Sequence, residues 1–212
     1  MFLVKDLGLA EYSRAYEIQK KVLLEVINGA SDTLILCEHS PVFTLGRLAA
    51  EKNFLFDRED IKKKGAQIVR IDRGGEVTFH GPGQLVVYPI LNLGHWRKDL
   101  KWYMEQLEQV AIDLLGYFDI LADRIAGRRG VWVGQKKIAS IGVGVKKWVS
   151  FHGMAININT DLSYFSMVKP CGLDVSMTSL AELKKQAIDM AQVKKEAVLL
   201  FERQFDLVFV KR

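Results

Sequence analysis

Two hydrophobic periods divide this chain into predicted helices and strands. At residues 9–28, Tyr12, Ala15, Ile18 and Val22 recur at helical spacing, and Gly29 follows as a stop signal. A second strong helical period covers residues 98–117, with its apolar side chains on one face. The other predicted helices are at 59–64, at 191–205, and directly after the capping box formed by Ser179 and Glu182.

Short apolar or alternating runs predict the strands. These runs cover 33–37, 67–71, 84–91, a hairpin at 130–143 with its turn at 134–136, a segment starting at 151, and 207–210. Pro89 lies inside one of them, which predicts an edge strand or a bend there, because proline cannot donate to a sheet ladder. Helices and strands follow each other without regular alternation. The pattern therefore predicts an α/β protein of the α+β kind, with a mixed sheet flanked by helices.

Length and composition fit one folded unit. The chain has 212 residues, of which 49% are hydrophobic and 26% charged, and neither a linker nor a repeat divides it. We expect one domain over 1–212. Charged residues interrupt the N-terminal apolar stretch, and no run approaches the length of a membrane span. We therefore expect a cytoplasmic protein without membrane contact, in which Cys37 and Cys171 are free thiols.

The net charge of +5 comes largely from lysine pairs that are scattered along the chain. This charge fits either an ordinary solvated surface or a docking face for an acidic partner. No nucleic-acid recognition motif accompanies it, so we expect no nucleic acid partner. No heptad pattern is present, and we expect a monomer.

The stretch RGGEVTFHGPGQ at 73–84 combines glycines with polar side chains directly before a buried strand. It could serve as a phosphate cradle, an oxyanion hole or a plain turn. The chain has neither GxxxxGK[ST] nor GxGxxG, which argues against the standard nucleotide cradles. It also lacks GxSxG, and its four histidines show no ligand spacing. We expect neither a metal nor a cofactor.

The two cysteines have different surroundings. Cys37 lies in an apolar run and is expected to fill core space. Cys171 lies between Pro170 and Gly172, where a constrained loop leaves a thiol accessible, so it is either a nucleophile or an incidental loop cysteine. Lys137 enters an apolar strand and, if partly desolvated, could exchange protons near neutral pH; the alternative is one more surface lysine.

Five segments, taken in order, resemble the octanoyltransferases of lipoate biosynthesis, also called the lipoate-protein ligase B family. They are HSPVFTLGR (39–47), RGGEVTFHGPGQLVVYPI (73–90), KIASIGV (137–143), SFHGMAININ (150–159) and PCGL (170–173). The resemblance implies a fold shared with the catalytic domains of lipoate and biotin protein ligases. It also implies transfer of an octanoyl group from octanoyl-acyl carrier protein to a lysine of lipoyl domains, those of 2-oxoacid dehydrogenase E2 subunits and glycine cleavage H protein. No ATP is needed, because the thioester is already activated.

Motif by motif, the resemblance assigns roles to residues of this chain. Cys171 matches the nucleophile that carries the acyl group, and Lys137, not Lys136, matches the lysine that lowers the thiol pKa and acts as general acid and base. The acyl-binding positions that match are Arg73, Gly74, Gly75, Glu76, Val77, Thr78, Phe79, His80, Ser140, Ile141, Gly142, Gly153, Met154 and Ala155. Phe79 stands where many relatives carry tyrosine.

The small residues in these segments would leave room for an eight-carbon chain; they are Gly74, Gly75, Gly142, Gly153 and Ala155. The tetrahedral intermediates need hydrogen-bond donors. Backbone N–H groups near 140–142 and the side chain of His80 are the candidates.

Two other functions fit the same residues. An ATP-dependent lipoate ligase that shares the fold would not need Cys171. A non-catalytic binding module for acylated carrier proteins would keep its whole function after Cys171→Ser.

Overall fold

The computed structural model describes residues 2–49, 55, 57–168 and 175–207, and it contains ten strands and five α-helices there. The strands are β1 (Phe2–Ala10), β2 (Asp32–His39), β3 (Val42–Leu45), β4 (Gln67–Arg70), β5 (Val77–His80), β6 (Gln84–Ile90), β7 (Asp123–Ile125), β8 (Arg128–Val133), β9 (Lys136–Lys146) and β10 (Val149–Asn157). The helices are α1 (Tyr12–Ile27), α2 (Arg58–Lys63), α3 (Leu100–Tyr117), α4 (Leu180–Lys184) and α5 (Met190–Gln204), with short 3-10 helices at Leu93–His95 and Leu162–Met167.

The strands form a large and a small sheet. The seven-stranded sheet has the order β1-β2-β6-β10-β9-β8-β7, and the three-stranded sheet has the order β4-β3-β5. The pairs β1–β2 and β3–β4 are parallel, whereas β2–β6, β6–β10, β10–β9 and β3–β5 are antiparallel. The predicted mixed sheet with flanking helices is therefore confirmed. No helix within the described ranges is both long and apolar enough to span a bilayer.

Strand periodicity separates two cores, one on each face of the large sheet. In β2, Leu34 and Leu36 pack with α3 and α5, whereas Ile35 and Cys37 pack with α1 on the opposite face. Successive side chains of a strand point to opposite faces, so one apolar run supplies both layers. Cys37 is a fully buried free thiol, which confirms its predicted packing role.

Pro89 lies in a central strand, so the predicted edge position is wrong. It is opposite Leu34 of β2, and its strand also pairs with β10. Because proline has no N–H to donate, hydrogen bonds of a side chain replace part of the backbone pairing at this point. The hydroxyl of Ser150 donates to the Pro89 carbonyl at 2.7 Å and accepts from the backbone N–H of Leu91 at 3.0 Å.

The predicted helices are confirmed with shifts of a few residues at their ends. Asp99 caps α3 by accepting from the Trp102 N–H at 3.0 Å, and Ser179 caps α4 by accepting from the Glu182 N–H at 3.2 Å. The hairpin at β8–β9 is also confirmed. Strands β1, β3 and β5 were not predicted, because β3 and β5 have only four residues each and the charged pair Lys5 and Asp6 interrupts the apolar sequence of β1. Most of the predicted strand at 207–210 lies outside the described residues.

Glu108 is a buried carboxylate that ties α3 to the β7–β8 hairpin. Its side chain is only 3% exposed. It accepts from the Gly130 N–H at 2.9 Å, from Arg124 Nε at 3.2 Å and from Arg129 Nη1 at 3.3 Å. Gly130 has a φ of +113° and lies beneath the side chain of Lys137, so Glu108 fixes the backbone on which that lysine rests.

We predict that Glu108→Ala lowers the free energy of unfolding by about 2 kcal/mol, because it leaves the buried Gly130 N–H without its acceptor. Urea unfolding measures the change. Glu105→Ala on the same helix is the control. Glu105 lies 4.0 Å from Lys101 in a pair exposed to solvent, and its loss should change stability by less than about 0.5 kcal/mol. Equal effects of the two variants would contradict the role given to Glu108.

Candidate functional site

The side chain of Arg73 connects the two sheets. It is 7% exposed and donates from Nη2 to the Thr44 carbonyl at 2.7 Å and to its hydroxyl at 3.0 Å. At the other end of the side chain, a Cβ atom placed on Gly142 of β9 would lie 3.1 Å from Arg73 Cδ. Arg73 therefore spans the space between β3 of the small sheet and β9 of the large one.

The predicted acyl-binding segments lie together around this arginine. Ser140 of β9 is directly opposite Ala155 of β10, and Gly142 is opposite Gly153. Opposite residues of an antiparallel pair share a face, so these four positions form one patch of small residues. The Gly74 N–H donates to the Val143 carbonyl at 3.2 Å, which brings the 73–75 loop against the same strand.

The residues between these small ones, Ile141 and Met154, point to the opposite face of the sheet. Met154 and Ile141 are opposite each other and belong to the core beneath α3 and α5. Their side chains fill that core, so any contact of these two residues with an acyl chain would be made by backbone atoms.

Gly153 does not leave room for an acyl chain where its side chain would be. A Cβ atom there would collide with the Val87 carbonyl oxygen and would lie 2.5 Å from Cδ of Pro89. The missing side chain therefore allows β10 to approach the proline-containing strand β6. By contrast, a Cβ atom on Gly74 would meet nothing closer than the Val143 carbonyl at 3.6 Å, so space does remain there.

Strand β5 presents two different faces. Val77 and Phe79 belong to an apolar cluster, in which the ring of Phe79 stacks on Tyr164 with 4.4 Å between centroids. Thr78 and His80 occupy the opposite face, together with Thr44 of the paired strand β3. This second face is the one that carries the contact with Arg73. Phe79 is thus a packing residue of the small sheet.

The backbone of the 75–76 loop is held by the strand-to-loop junction at Gly46. The Gly46 N–H donates to the Glu76 carbonyl at 2.9 Å, and a Cβ atom on Gly46 would collide with the Gly75 carbonyl oxygen. Gly75 itself has a φ of +83°. Glycine is required at Gly75 by conformation and at Gly46 by close approach.

Lys136 and Lys137 have different surroundings. Lys136 is exposed and its Nζ lies 3.0 Å from Oε1 of Glu182. Lys137 is half-buried, and its Nζ lies 5.6 Å from the ring centroid of Trp132, within the range of a cation–π contact. Its Cε occupies the place that a side chain on Gly130 would need, at 2.5 Å from that Cβ position.

Cys171 lies outside the described residues, but the segment that follows it in sequence pairs with Lys137. The Lys137 N–H donates to the Ser176 carbonyl at 2.9 Å, and the Thr178 N–H donates to the Lys137 carbonyl at 3.0 Å. Strand β9 thus continues its pairing with the chain that comes directly after the PCG motif.

Two amides that were not predicted as site residues connect these parts. Gln84 and Asn157 are 2% and 1% exposed and bond to each other at 2.9 Å. Gln84 also contacts His80, and Asn157 donates to the Thr178 carbonyl at 3.0 Å. The signal in the sequence was their position, since each is a polar residue at the end of a largely apolar strand, Gln84 at the start of β6 and Asn157 at the end of β10.

Three histidines around the site are buried, and burial lowers the pKa of each. For His80 the pKa falls to about 3, with the nearby His39 as the second cause. Burial also lowers the pKa of His39 and of His152 below the ordinary 6.5. His152 lies 2.9 Å from a carboxylate oxygen of Asp72, which favours the charged form but does not outweigh its burial. Within the described ranges, no group of three His, Cys, Asp or Glu side chains is placed so that it could bind a metal ion.

We predict that the free energy of unfolding falls as pH drops below about 6.5. The unfolded histidines bind protons there, whereas the folded ones remain neutral, so the stabilisation is complete above pH 6.5 and is lost below it. Each such histidine contributes a slope of up to about 1.4 kcal/mol per pH unit. Urea unfolding between pH 5 and pH 8 measures the slope, and His80→Gln should make it shallower. A stability that stays level over this range would contradict the prediction.

The comparisons with known proteins agree with this arrangement. Residues 11–202 match the family model described as "Lipoyl protein ligase A/B catalytic domain". A protein of Solibacter usitatus named octanoyltransferase is 44% identical over 204 residues, which cover 96% of this chain and 92% of that protein. The octanoyltransferase of Syntrophotalea carbinolica is 43% identical over 201 residues, covering 94% and 92% of the two chains.

Solved structures show the same fold at low sequence identity. A lipoate-protein ligase A structure bound with ATP superposes with a TM-score of 0.80 at 14% identity, covering 100% of this chain and 87% of the other. The bipartite lipoate protein ligase of Thermoplasma acidophilum gives 0.78 at 16% identity, covering 99% and 85%. Biotin protein ligase from Aquifex aeolicus gives 0.55 at 13% identity, covering 97% and 69%. Because the family model covers most of the chain and these octanoyltransferases are similar to it over nearly their whole length, the chain belongs to the octanoyltransferase family of lipoyl protein ligase A/B catalytic domains.

Proposed function

We propose that this chain transfers an octanoyl group from octanoyl-acyl carrier protein to a specific lysine of lipoyl domains, through a thioester on Cys171. One observation carries the assignment of the reacting residues. The backbone of Lys137 pairs with Ser176 and Thr178, so the lysine is joined to the segment that comes directly after the proposed nucleophile. The near full-length similarity to octanoyltransferases supports the choice of acyl group.

The reaction has two acyl transfers. In the first, the Cys171 thiolate attacks the thioester carbon, the acyl–cysteine bond forms, and the carrier thiolate leaves. In the second, the amine of the acceptor lysine attacks the acyl-cysteine, an amide forms, and the Cys171 thiolate is released. Exchange of one thioester for another is nearly balanced in free energy, and amide formation from a thioester is favourable, so neither step needs ATP.

Lys137 handles the protons in this scheme. As an ammonium it stabilises the Cys171 thiolate, and after passing a proton to the departing carrier thiolate it is the neutral base for the attacking amine. Its half-buried position beside Trp132 supports this role, because Lys137 is less solvated than Lys136, which is exposed and pairs with Glu182 at the surface. The tetrahedral intermediates require donors, for which the backbone N–H groups at 140–142 are the candidates.

The partners follow from the same chemistry. The donor is octanoyl-acyl carrier protein, and the acceptors are the lipoyl domains of 2-oxoacid dehydrogenase E2 subunits and of glycine cleavage H protein. The net charge of +5 suits acidic protein partners. A monomeric, cytoplasmic enzyme that needs no cofactor remains our prediction.

An ATP-dependent ligase is the main alternative, since the lipoate-protein ligase A structure was solved with ATP. That similarity is at 14% identity and extends to the fold alone. The two functions differ in whether Cys171 carries the acyl group.

We predict that incubation with octanoyl-acyl carrier protein, without ATP, adds one octanoyl group to Cys171. Intact mass and peptide mapping detect it, and neutral hydroxylamine should remove it because it is a thioester. Cys171→Ser should lose both the label and transfer to a lipoyl domain.

Cys37→Ala is the matched control and should label normally. The Cys37 thiol is fully buried, and burial raises its pKa, so it is neither accessible nor ionised. Transfer activity that Cys171→Ser retains in the presence of ATP would instead support a ligase, whereas binding of the acylated carrier without transfer by either protein would support a binding module.

We predict that Lys137→Ala lowers the rate of octanoyl transfer by about 100-fold or more, the range expected for loss of a general acid–base group. Lys136→Ala, one residue away, should keep the rate within about twofold, since its exposed ion pair contributes little. Circular dichroism checks that both variants fold. Equal losses in the two variants would show that the assignment to Lys137 is wrong.

A further inference from the structure

A chain of buried amides ends on one ring nitrogen of His80. Nδ1 of His80 lies 2.7 Å from Oε1 of Gln84. Nε2 of Gln84 lies 2.9 Å from Oδ1 of Asn157, and Nδ2 of Asn157 lies 3.0 Å from the Thr178 carbonyl oxygen. His80, Gln84 and Asn157 are at most 7% exposed, so water does not compete for these bonds.

The donor and the acceptor of every hydrogen bond in this series are determined by its last member, the Thr178 carbonyl. A backbone carbonyl can only accept, so Asn157 must turn its NH₂ group to Thr178 and its oxygen to Gln84. Gln84 must then direct its NH₂ group to Asn157, and the same group reaches the Phe79 carbonyl at 3.3 Å. The Gln84 oxygen is left facing His80, and an oxygen can only accept there. Nδ1 of His80 therefore carries the hydrogen.

The charge state of His80 decides what its other nitrogen does. The groups facing the ring are His39, Tyr12, Arg73 and His152, and none of them is an acid that would hold an imidazolium. Burial lowers the pKa of His80 to about 3. The ring is therefore neutral at pH 7, and with Nδ1 protonated its Nε2 has a lone pair.

We propose that Gln84 and Asn157 are positioning residues that hold His80 as the Nδ1–H tautomer, so that Nε2 faces the substrate as a hydrogen-bond acceptor for an N–H donor. Within residues 2–49, 55, 57–168 and 175–207 the structure gives Nε2 no hydrogen-bond partner. His80 shares its face of the small sheet with Thr78 and Thr44, the side on which Arg73 lies. The assignment to substrate rests on the proposed function; the tautomer does not.

This role differs from the one the sequence predicted for His80. A lone pair at Nε2 repels an oxyanion, so His80 is not an oxyanion-hole donor. It instead orients a group that brings a hydrogen. Both substrates have one: the attacking lysine amine of the lipoyl domain, and the amide N–H groups of the carrier's pantetheine arm.

The tautomer is measured directly by ¹⁵N NMR of the full chain labelled in histidine, at pH 7 and without substrate. Long-range ¹H–¹⁵N spectra distinguish a protonated from an unprotonated ring nitrogen, and His80→Gln identifies the His80 signals. The expected result is a protonated Nδ1 and an unprotonated Nε2. A protonated Nε2 in the wild-type protein would overturn the proposal.

Matched variants at Gln84 test what sets the tautomer. Gln84→Glu retains an oxygen acceptor and should keep Nδ1 protonated, whereas Gln84→Leu removes the acceptor and should allow the Nε2–H tautomer. Gln84→Leu should also lower kcat/KM for octanoyl transfer about tenfold, the usual effect of losing one hydrogen bond. If Gln84→Leu leaves the tautomer unchanged, the amides do not position His80.

The identity of the donor is tested in the Cys171→Ser variant, which stops turnover. Octanoyl-pantetheine and an unmodified lipoyl domain are added separately while the His80 Nε2 resonance is followed. The one that donates to Nε2 should shift this resonance, and no shift with either would exclude a substrate contact. The octanoyl label on Cys171 tests the proposed function separately, so a failure of one is distinguishable from a failure of the other.

Discussion

The buried guanidinium of Arg73 is the contact on which the site depends. It donates to both oxygens of Thr44 in the small sheet while its aliphatic part lies against Gly142 in the large one. A buried cation is tolerated where hydrogen-bond acceptors surround it, and here backbone carbonyls accept from both terminal nitrogens, Nη1 and Nη2. The arrangement helps to fix the distance between the two sheets, which also meet at His80 of β5, where the ring contacts Gln84 of β6 and lies 5.9 Å from the ring of His39 of β2. The glycine-rich stretch is thereby held against β9, which also carries Lys137.

Glycine serves different purposes at positions that look alike in the sequence. At Gly75 it permits a positive φ, whereas at Gly142 and Gly153 it permits close approach of Arg73 and of strand β6. Among the proposed acyl-binding glycines in the described ranges, Gly74 has the most open space, since a Cβ atom there would meet nothing closer than the Val143 carbonyl oxygen at 3.6 Å. The space for an acyl chain in this region therefore depends less on the number of glycines than on which of them have no neighbouring atom where a side chain would be.

The layers and most helices could be predicted from the sequence because they depend on local period and on caps. Leu34–Cys37 shows the period of two that divides the cores, and Ser179 with Glu182 forms the predicted cap. The central position of Pro89 could not be predicted, since it depends on the hydroxyl of Ser150, a residue of another strand. Strands β3 and β5 could not be predicted either. Strand β3 is stabilised by its pairing with β4 and β5, and β5 by its pairing with β3, rather than by a periodicity of their own.

Of the candidate site, only the residues that belong to recognisable sequence motifs could be predicted. The resemblance selected Lys137 over Lys136, and the two lysines have different surroundings in the structure. Adjacent residues of a strand point to opposite faces, so one lysine meets Glu182 at the surface and the other lies over Trp132. A single-residue shift in the pairing of β9 would exchange them.

The pairing of Lys137 with Ser176 and Thr178 opposes that shift, and Asn157 holds Thr178 by its carbonyl. The amides thus do more than bind a histidine. They join the glycine-rich stretch, strand β10 and the pairing register of β9 into one hydrogen-bonded unit. Neither amide is a nucleophile or an acid–base group, which is why a search for reactive residues does not find Gln84 and Asn157.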